Sequence, residues 1–191
     1  MKLVLGTRSP DKIREIRQFL RACDCVPLPE DAPVVPEDQP TFLGNAEKKA
    51  LVLAQALGAL VLADDSGLEV DALGGEPGVH SHRWAGEACD DDANNRKLVR
   101  SLEGVPEPAR TARYRCAIVL AFPSRVMDRA EGACEGRITT APRGTGGFGY
   151  DPYFLSLDLG KTFAEATPEE KLRVSHRGRA LAALRFPRTA P

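Results

Sequence analysis

The sequence predicts a mixed α/β fold, a β-sheet with helices packed on it. Three observations predict it. The chain opens with a strand, a tight turn and a helix. Two later apolar runs, Leu60–Ala63 and Tyr114–Phe122, have strand length, while helical stripes surround them. Strands and helices alternate at first, and strands then cluster.

The elements follow in order. Lys2–Leu5 reads as the first strand and Gly6-Thr7-Arg8 as its turn. Ser9 suits an N-cap, with Pro10 at the first helical position. Ile13, Ile16 and Leu20 then form one stripe. Pro27, Pro29, Pro33, Pro36 and Pro40 mark a loop or edge region containing Glu37-Asp38. Thr41 caps a helix whose face is Phe42, Ala46, Leu53 and Leu57, and Gly58 ends it. Leu60–Ala63 is a short buried strand with Asp64 and Asp65 at its C-terminal end. Asp90 to Leu102 is a helix with acidic residues in its first turn. Tyr114–Phe122 is a central strand, with Met127–Thr139 as its hairpin partner. A glycine-rich loop spans Gly144–Gly149, a helix starts at Thr167, and the last helix begins at Ser175 with stripe Ala180, Leu181 and Leu184.

The chain has 191 residues, the size of one domain or two small lobes. A net charge of -1 argues against a general nucleic-acid binder and against an anionic-membrane anchor. No apolar run approaches the ~20 residues that span a bilayer. Met1–Gly6 is too short for a signal peptide, so the cytoplasm is the expected location. The cysteines, Cys23, Cys25, Cys89, Cys116 and Cys134, show no CxxC spacing and read as reduced, packed thiols.

Four segments carry candidate chemistry. Asp64-Asp65 ends an apolar run, where a charge is costly unless something positive meets it. "GTRSPDK", Gly6 to Lys12, is a strand-to-helix turn whose free N–H groups, with Thr7, Ser9 and Lys12, suit an anion. In "GTGGFGYDP", Phe148 and Tyr150 offer flat faces to a base, and Asp151 orients a neighbour. In "EEKLRVSHRG", Lys171, His176 and Arg177 supply donors. Arg83 is a further anion candidate, while the spacing of His80 and His82 suggests no zinc pair. Each segment alone also fits a structural role: a turn, a capped helix, a hairpin loop, a solvated helix end. Together they hold carboxylates for Mg²⁺, donors for phosphates and aromatics for a base.

The segments "GTRSPDK", "TFLGNAEKKA", "ADDSGLEVDALGGEPGV", "GTGGFGYDP" and "SHRG" resemble, in order and from about Lys2 to Leu184, the ITPase-like (Ham1-like) non-canonical purine nucleoside triphosphate pyrophosphatases. The resemblance implies an elongated α/β fold, one domain over residues 1–191 made of two lobes around a nucleotide cleft, and a homodimer. It implies Mg²⁺-dependent hydrolysis of dITP, ITP and XTP to the monophosphate and pyrophosphate, a nucleotide-pool cleansing activity. By the same resemblance Asp65 is metal ligand and proton acceptor, with Asp64 beside it, and Glu37 is the second metal ligand. Thr7, Arg8, Ser9, Pro10, Asp11 and Lys12 form the phosphate-binding turn. Lys49 and Ser66 are further substrate contacts. Phe148, Gly149, Tyr150, Asp151, Lys171, His176 and Arg177 match the nucleoside-binding positions. Two departures are visible: Ser9 stands where the family has Asn, and Gly44 where it has Glu.

The expected mechanism has Asp64 or Asp65 accept the attacking water's proton while Lys12, Lys49 and Arg83 offset charge on the leaving pyrophosphate. Donors from His176 and Arg177 would meet the 6-keto oxygen, and an adenine amino group would face them with a donor of its own. Two other readings stay open: a Maf-like pyrophosphatase acting on dTTP, UTP or modified pyrimidines, and a non-catalytic nucleotide sensor.

Overall fold

The computed structural model describes residues 2–186; Met1 and residues 187–191 of the expected domain lie outside the described residues. Strand β1 (Lys2–Leu5) runs into helix α1 (Pro10–Phe19) through the expected start: the Ser9 side chain accepts from the Lys12 amide, and Pro10 sits in the first turn. Strand β2 is Asp24–Val26. Helix α2 (Phe42–Leu57) is capped by the Thr41 side chain and ends at Gly58, whose φ of 59° is left-handed. Then follow β3 (Val61–Val70), α3 (Asp91–Ser101), β4 (Thr111–Phe122), β5 (Arg125–Ile138), β6 (Phe154–Ser156), β7 (Lys161–Thr162), α4 (Pro168–Val174) and α5 (His176–Ala183).

The seven strands form one sheet in the order β2-β1-β3-β4-β5-β6-β7. β1 pairs parallel with β2 and β3, with Val4 opposite Val61. β6 pairs antiparallel with β5 and β7. Two residues, Pro123 and Ser124, link β4 to β5, a connection that only antiparallel neighbours can use.

One expectation is corrected. The strand expected to stop at Ala63 continues to Val70, so Asp64 and Asp65 lie inside β3 rather than at its end. Side chains alternate along a strand, so the two carboxylates leave opposite faces. Leu60 and Leu62, in step with Asp64, pack with Ile16 and Leu20 of α1 and Ala180 and Leu181 of α5. Val61 and Ala63, in step with Asp65, lie on the side of Leu53 of α2. A Cβ added to Gly6 would stand 3.0 Å from Ala63 Cβ and 3.2 Å from both Val61 and Leu53, so glycine there lets these three close in.

The chain forms two compact units. Within the described residues, unit 1 comprises residues 2–65, Cys116–Gly132 and residues 177–186; unit 2 comprises Ser66–Arg115 and Ala133–His176. The unit 1 core joins Leu3, Leu5, Ile16, Leu62, Ile118, Leu120 and Leu181. The unit 2 core joins Leu68, Leu98, Leu102, Tyr114, Phe154 and Phe163. The Tyr114 ring lies 4.6 Å from that of Phe154 and 5.8 Å from that of Phe163. The five cysteines form no disulfide, and burial pushes the Cys116 thiol up to about 12, which keeps it protonated and inert.

Strand β6 pairs with β5 where only a glycine fits. A Cβ on Gly136 would stand 2.4 Å from Phe154 Cζ and 2.6 Å from the Leu155 carbonyl oxygen. Gly136→Ala therefore overpacks the unit 2 core and is expected to cost about 1–3 kcal/mol, read as a lower urea midpoint at unchanged slope. A wild-type midpoint would show that β6 does not press on β5 at Gly136.

Candidate active site

The unit 1 cluster begins at the β1–α1 turn. Thr7 Oγ1 accepts the Ser9 amide at 3.2 Å, and Ser9 Oγ accepts the Lys12 amide at 3.4 Å. Both hydroxyls thus shape the turn and keep their protons for donation. Arg8 is turned away: its guanidinium donates to the carbonyls of Glu30 (3.3 Å) and Ala32 (2.9 Å). Asp11 pairs with Arg14 at 2.6 Å, one turn along the helix, and Pro10 is exposed. Lys12 is the residue of this segment whose charge reaches the aspartates, with Nζ 3.2 Å from Asp64 Oδ2.

Asp64 is wholly buried. Its Oδ2 accepts from Arg177 Nε at 3.3 Å and Nη2 at 3.1 Å, beside the Lys12 contact. Arg177 in turn bonds Glu15 through Nη1. Burial works against ionising Asp64, but Lys12, Arg177 and Lys49 outweigh it and hold its carboxyl well below the usual carboxylate range. The other oxygen, Oδ1, has no hydrogen-bond partner among the described residues.

Asp65 faces α2, where Asn45 Nδ2 donates to its Oδ2 at 2.9 Å. Asn45 also takes the Gln39 amide at 2.9 Å, which ties the Glu37 segment to the start of α2. Lys49, one turn after Asn45, bonds Glu37. Burial and the Glu37 charge raise the Asp65 carboxyl, against the pull of Lys49, Lys12 and Asn45. For Glu37 burial is again unfavourable, yet Lys49 and Lys12 hold it low. Burial disfavours the Lys49 charge, while Asp64, Glu37 and Asp65 together keep it protonated. Two adjacent carboxylates are thus pushed in opposite directions, the arrangement that separates a fixed charge from a group able to take a proton.

Among the described residues no three His, Cys, Asp or Glu side chains form a self-sufficient metal cage. Mg²⁺ does not need one: it is held by one or two carboxylates, water and substrate phosphates. Glu37 and Asp65 feel each other's charge. That donor set is all oxygen, and it fits a hard divalent cation.

The unit 2 cluster centres on Asp151, which is 2% exposed. Its Oδ2 accepts from the Phe148 amide at 2.8 Å and from Lys171 Nζ at 2.6 Å. Lys171 Nζ stands 4.5 Å from the half-buried Phe148 ring centre. Gly147, at φ 72°, makes room for this: a Cβ there would fall 2.2 Å from Asp151 Oδ2. His176 is buried and stacks on Tyr114, centroids 4.6 Å apart. Ser66 on β3 and Arg83, in the turn Gly78–Arg83, are half-buried.

Two expectations change. Tyr150 is no stacking face: its ring belongs to the unit 2 core and its hydroxyl donates to the Ser81 carbonyl at 2.8 Å. Arg177 is not offered to a base: it is 1% exposed and bound to Asp64 and Glu15. Its neighbour His176 belongs to unit 2 while Arg177 belongs to unit 1. Sequence reading also missed Glu15 and Asn45. Their signal was spacing, since Lys12 and Glu15 are three apart and Asn45 and Lys49 four apart, each pair on one helix face.

Similarity to known proteins covers nearly the whole chain. The model of the Ham1 family matches residues 3–186. A "dITP/XTP pyrophosphatase" of Desulforamulus reducens is 52% identical over 185 residues, 95% of this chain and 92% of the relative. One from Thermus thermophilus is 49% identical over 189 residues, 96% of this chain and 90% of the relative. The solved Ham1 protein of Staphylococcus aureus superposes with a TM-score of 0.84 at 36% identity, covering 95% of both chains. The HAM1 protein of Coxiella burnetii gives 0.85 at 37%, again covering 95% of both.

The opposed aspartates give a stability prediction. The Asp64 carboxyl is depressed on folding, so its contribution is full above about pH 4 and is lost as pH falls further. The Asp65 carboxyl is raised, so its ionisation opposes folding once pH climbs past its folded value. Asp64→Asn should then cost about 3–5 kcal/mol at neutral pH, because it strips a buried ion pair of one partner. Asp65→Asn, of the same shape, should raise Tm at pH 7. Melts without divalent cations between pH 4 and 8 check both, and the Asp65→Asn advantage should shrink toward pH 4. Equal melting of the two variants would disprove the opposed charge states.

Proposed function

The chain belongs to the Ham1 family, and on that premise we propose that it hydrolyses dITP, ITP and XTP to the nucleoside monophosphate and pyrophosphate, with Mg²⁺ as cofactor. The observation that carries the reading is the Asp64-Asp65 pair. One carboxylate is neutralised and fixed by Lys12 and Arg177; the other is raised beside Glu37 and Lys49. The printed names of the relatives, dITP/XTP pyrophosphatase, support the substrate class.

Glu37 and Asp65 would hold the metal, which when bound supplies charge neutralisation on the phosphates and a more acidic water. The chain's own groups do the rest. Asp65, with its raised proton affinity, accepts the water's proton, while Asp64, already locked in ion pairs, stays a fixed charge. Lys12 and Lys49 offset the charge that grows on the pyrophosphate as the α–β bond breaks. The hydroxyls of Thr7 and Ser9 donate to phosphate oxygens. In unit 2, Phe148, Lys171 and His176 present an aromatic face and donors suited to a 6-keto purine. Ser66 and Arg83 are kept as further substrate contacts. The two units are read as lobes of one domain, and the working form as a cytoplasmic homodimer; both rest on the family resemblance. No described helix is long and apolar enough to cross a membrane.

The test is pyrophosphate release with Mg²⁺ from dITP, XTP, dATP, dGTP and dTTP under identical conditions. Fast release from dITP and XTP alone is expected, and removing divalent cations should abolish it. Preference for dTTP would overturn the purine reading. In the same assay Asp65→Asn should lose at least about 10²-fold in kcat, the usual weight of a general base, and still bind dITP. Wild-type turnover by that variant would refute the assigned base.

A further inference from the structure

Helix α3 takes no part in the chemistry above, yet three of its side chains are spent on the backbone of two other segments. Asp91 Oδ2 accepts the Gly149 amide at 2.8 Å, and Asn95 Nδ2 donates to the Gly149 carbonyl at 2.9 Å. Residues 91 and 95 are one helical turn apart, so both polar groups of Gly149 are gripped by one face of α3. Asn94, on the adjoining face, accepts the Ala85 amide at 2.7 Å and donates to the His82 carbonyl at 3.0 Å. It therefore brackets Arg83. Tyr150 ties the two segments to each other through the Ser81 carbonyl.

These contacts are built at some expense. Asn94 is 2% and Asn95 8% exposed, deep burial for polar side chains. With its amide nitrogen turned to Gly149, Asn95 leaves Oδ1 buried without a hydrogen-bond partner among the described residues. A fold under no other demand would place an apolar residue there, because an unsatisfied buried acceptor destabilises. Two glycines allow the loop its path: Gly149 has φ 60°, and Gly147 at φ 72° clears Asp151. A chain this free in its backbone needs external fixing to hold one geometry.

We infer that Asp91, Asn94 and Asn95 are positioning residues of the nucleoside site, acting through Gly149 and the His82–Ala85 segment to fix Phe148, Asp151 and Arg83. The inference rests on the reading of Phe148 and Asp151 as nucleoside-binding. It assigns α3 the task of setting substrate affinity, with no contact to the substrate itself.

The experiment is steady-state kinetics on dITP with the whole chain and Mg²⁺, alongside melting curves. Asp91 is exposed, so its variants retain the core. Asp91→Ala should raise KM about fivefold, the worth of one hydrogen bond, with kcat within about twofold of wild type. Asp91→Asn keeps an oxygen for the Gly149 amide and should restore KM. Asn95→Ala and Asn94→Ala should act in the same direction. Hydrogen exchange at the Gly149 amide should quicken in Asp91→Ala and not in Asp91→Asn. Phe148→Ala separates the two levels of the argument. If it raises KM while Asp91→Ala and Asn95→Ala leave KM untouched, the positioning role falls and the nucleoside reading stands. If Phe148→Ala also leaves KM untouched, the nucleoside reading falls and takes the inference with it. A fall in kcat at constant KM in the α3 variants would likewise overturn the inference.

Discussion

A carboxylate with no exposure to water stands in the middle of a sheet, and the fold around it answers that cost. Asp64 lies where Leu60 and Leu62 would predict another apolar side chain. Its ionised form persists because α1 brings Lys12 and α5 brings Arg177, whose Nη1 is held by Glu15. A buried ion pair contributes little net stability against an apolar alternative. What it supplies here is placement. α1, β3 and α5 meet at one point, and the next residue along the strand, Asp65, inherits that fixed position.

The period-two geometry of the strand then divides the labour. Neighbouring aspartates leave opposite faces and meet different surroundings. On the α5 side the direct contacts of Lys12 and Arg177, with the more remote charge of Lys49, make ionisation easy. On the α2 side burial and Glu37 make it harder, with Asn45 and Lys49 as the counterweight. One pair of identical residues yields a permanent charge and a proton acceptor without any further device.

Local structure was legible in the sequence wherever a single residue type dictates it. The Ser9-Pro10 and Thr41 starts, the Gly58 stop and the Ala180-Leu181-Leu184 stripe all stand where spacing puts them. The seven-stranded sheet with its flanking helices matches the α/β class. The extent of β3 was not legible, because Asp-Asp-Ser-Gly has turn chemistry, while its neighbours β1 and β4 in the sheet and the cations that meet Asp64 come from elsewhere in the sequence. The same blindness hid the roles of Tyr150 and Arg177. Both look like ligand contacts by type, and both are consumed by partners, Ser81 in one case and Asp64 with Glu15 in the other. Pattern reading finds residues that carry chemistry; it does not reveal which of them the fold has already used.

The separation of Asp64 from Arg177, 113 positions, has a consequence for the order in which the molecule is made. At about 5–20 residues per second, a ribosome extends the chain for roughly ten seconds between the two. Most of that interval is spent on unit 2, whose own core needs nothing from Arg177. During it Asp64 has Lys12 but not its guanidinium partner, so the centre of β3 has reason to stay hydrated. Unit 1 begins first and closes last, and Asp64 acquires its full set of partners only when the α5 segment arrives.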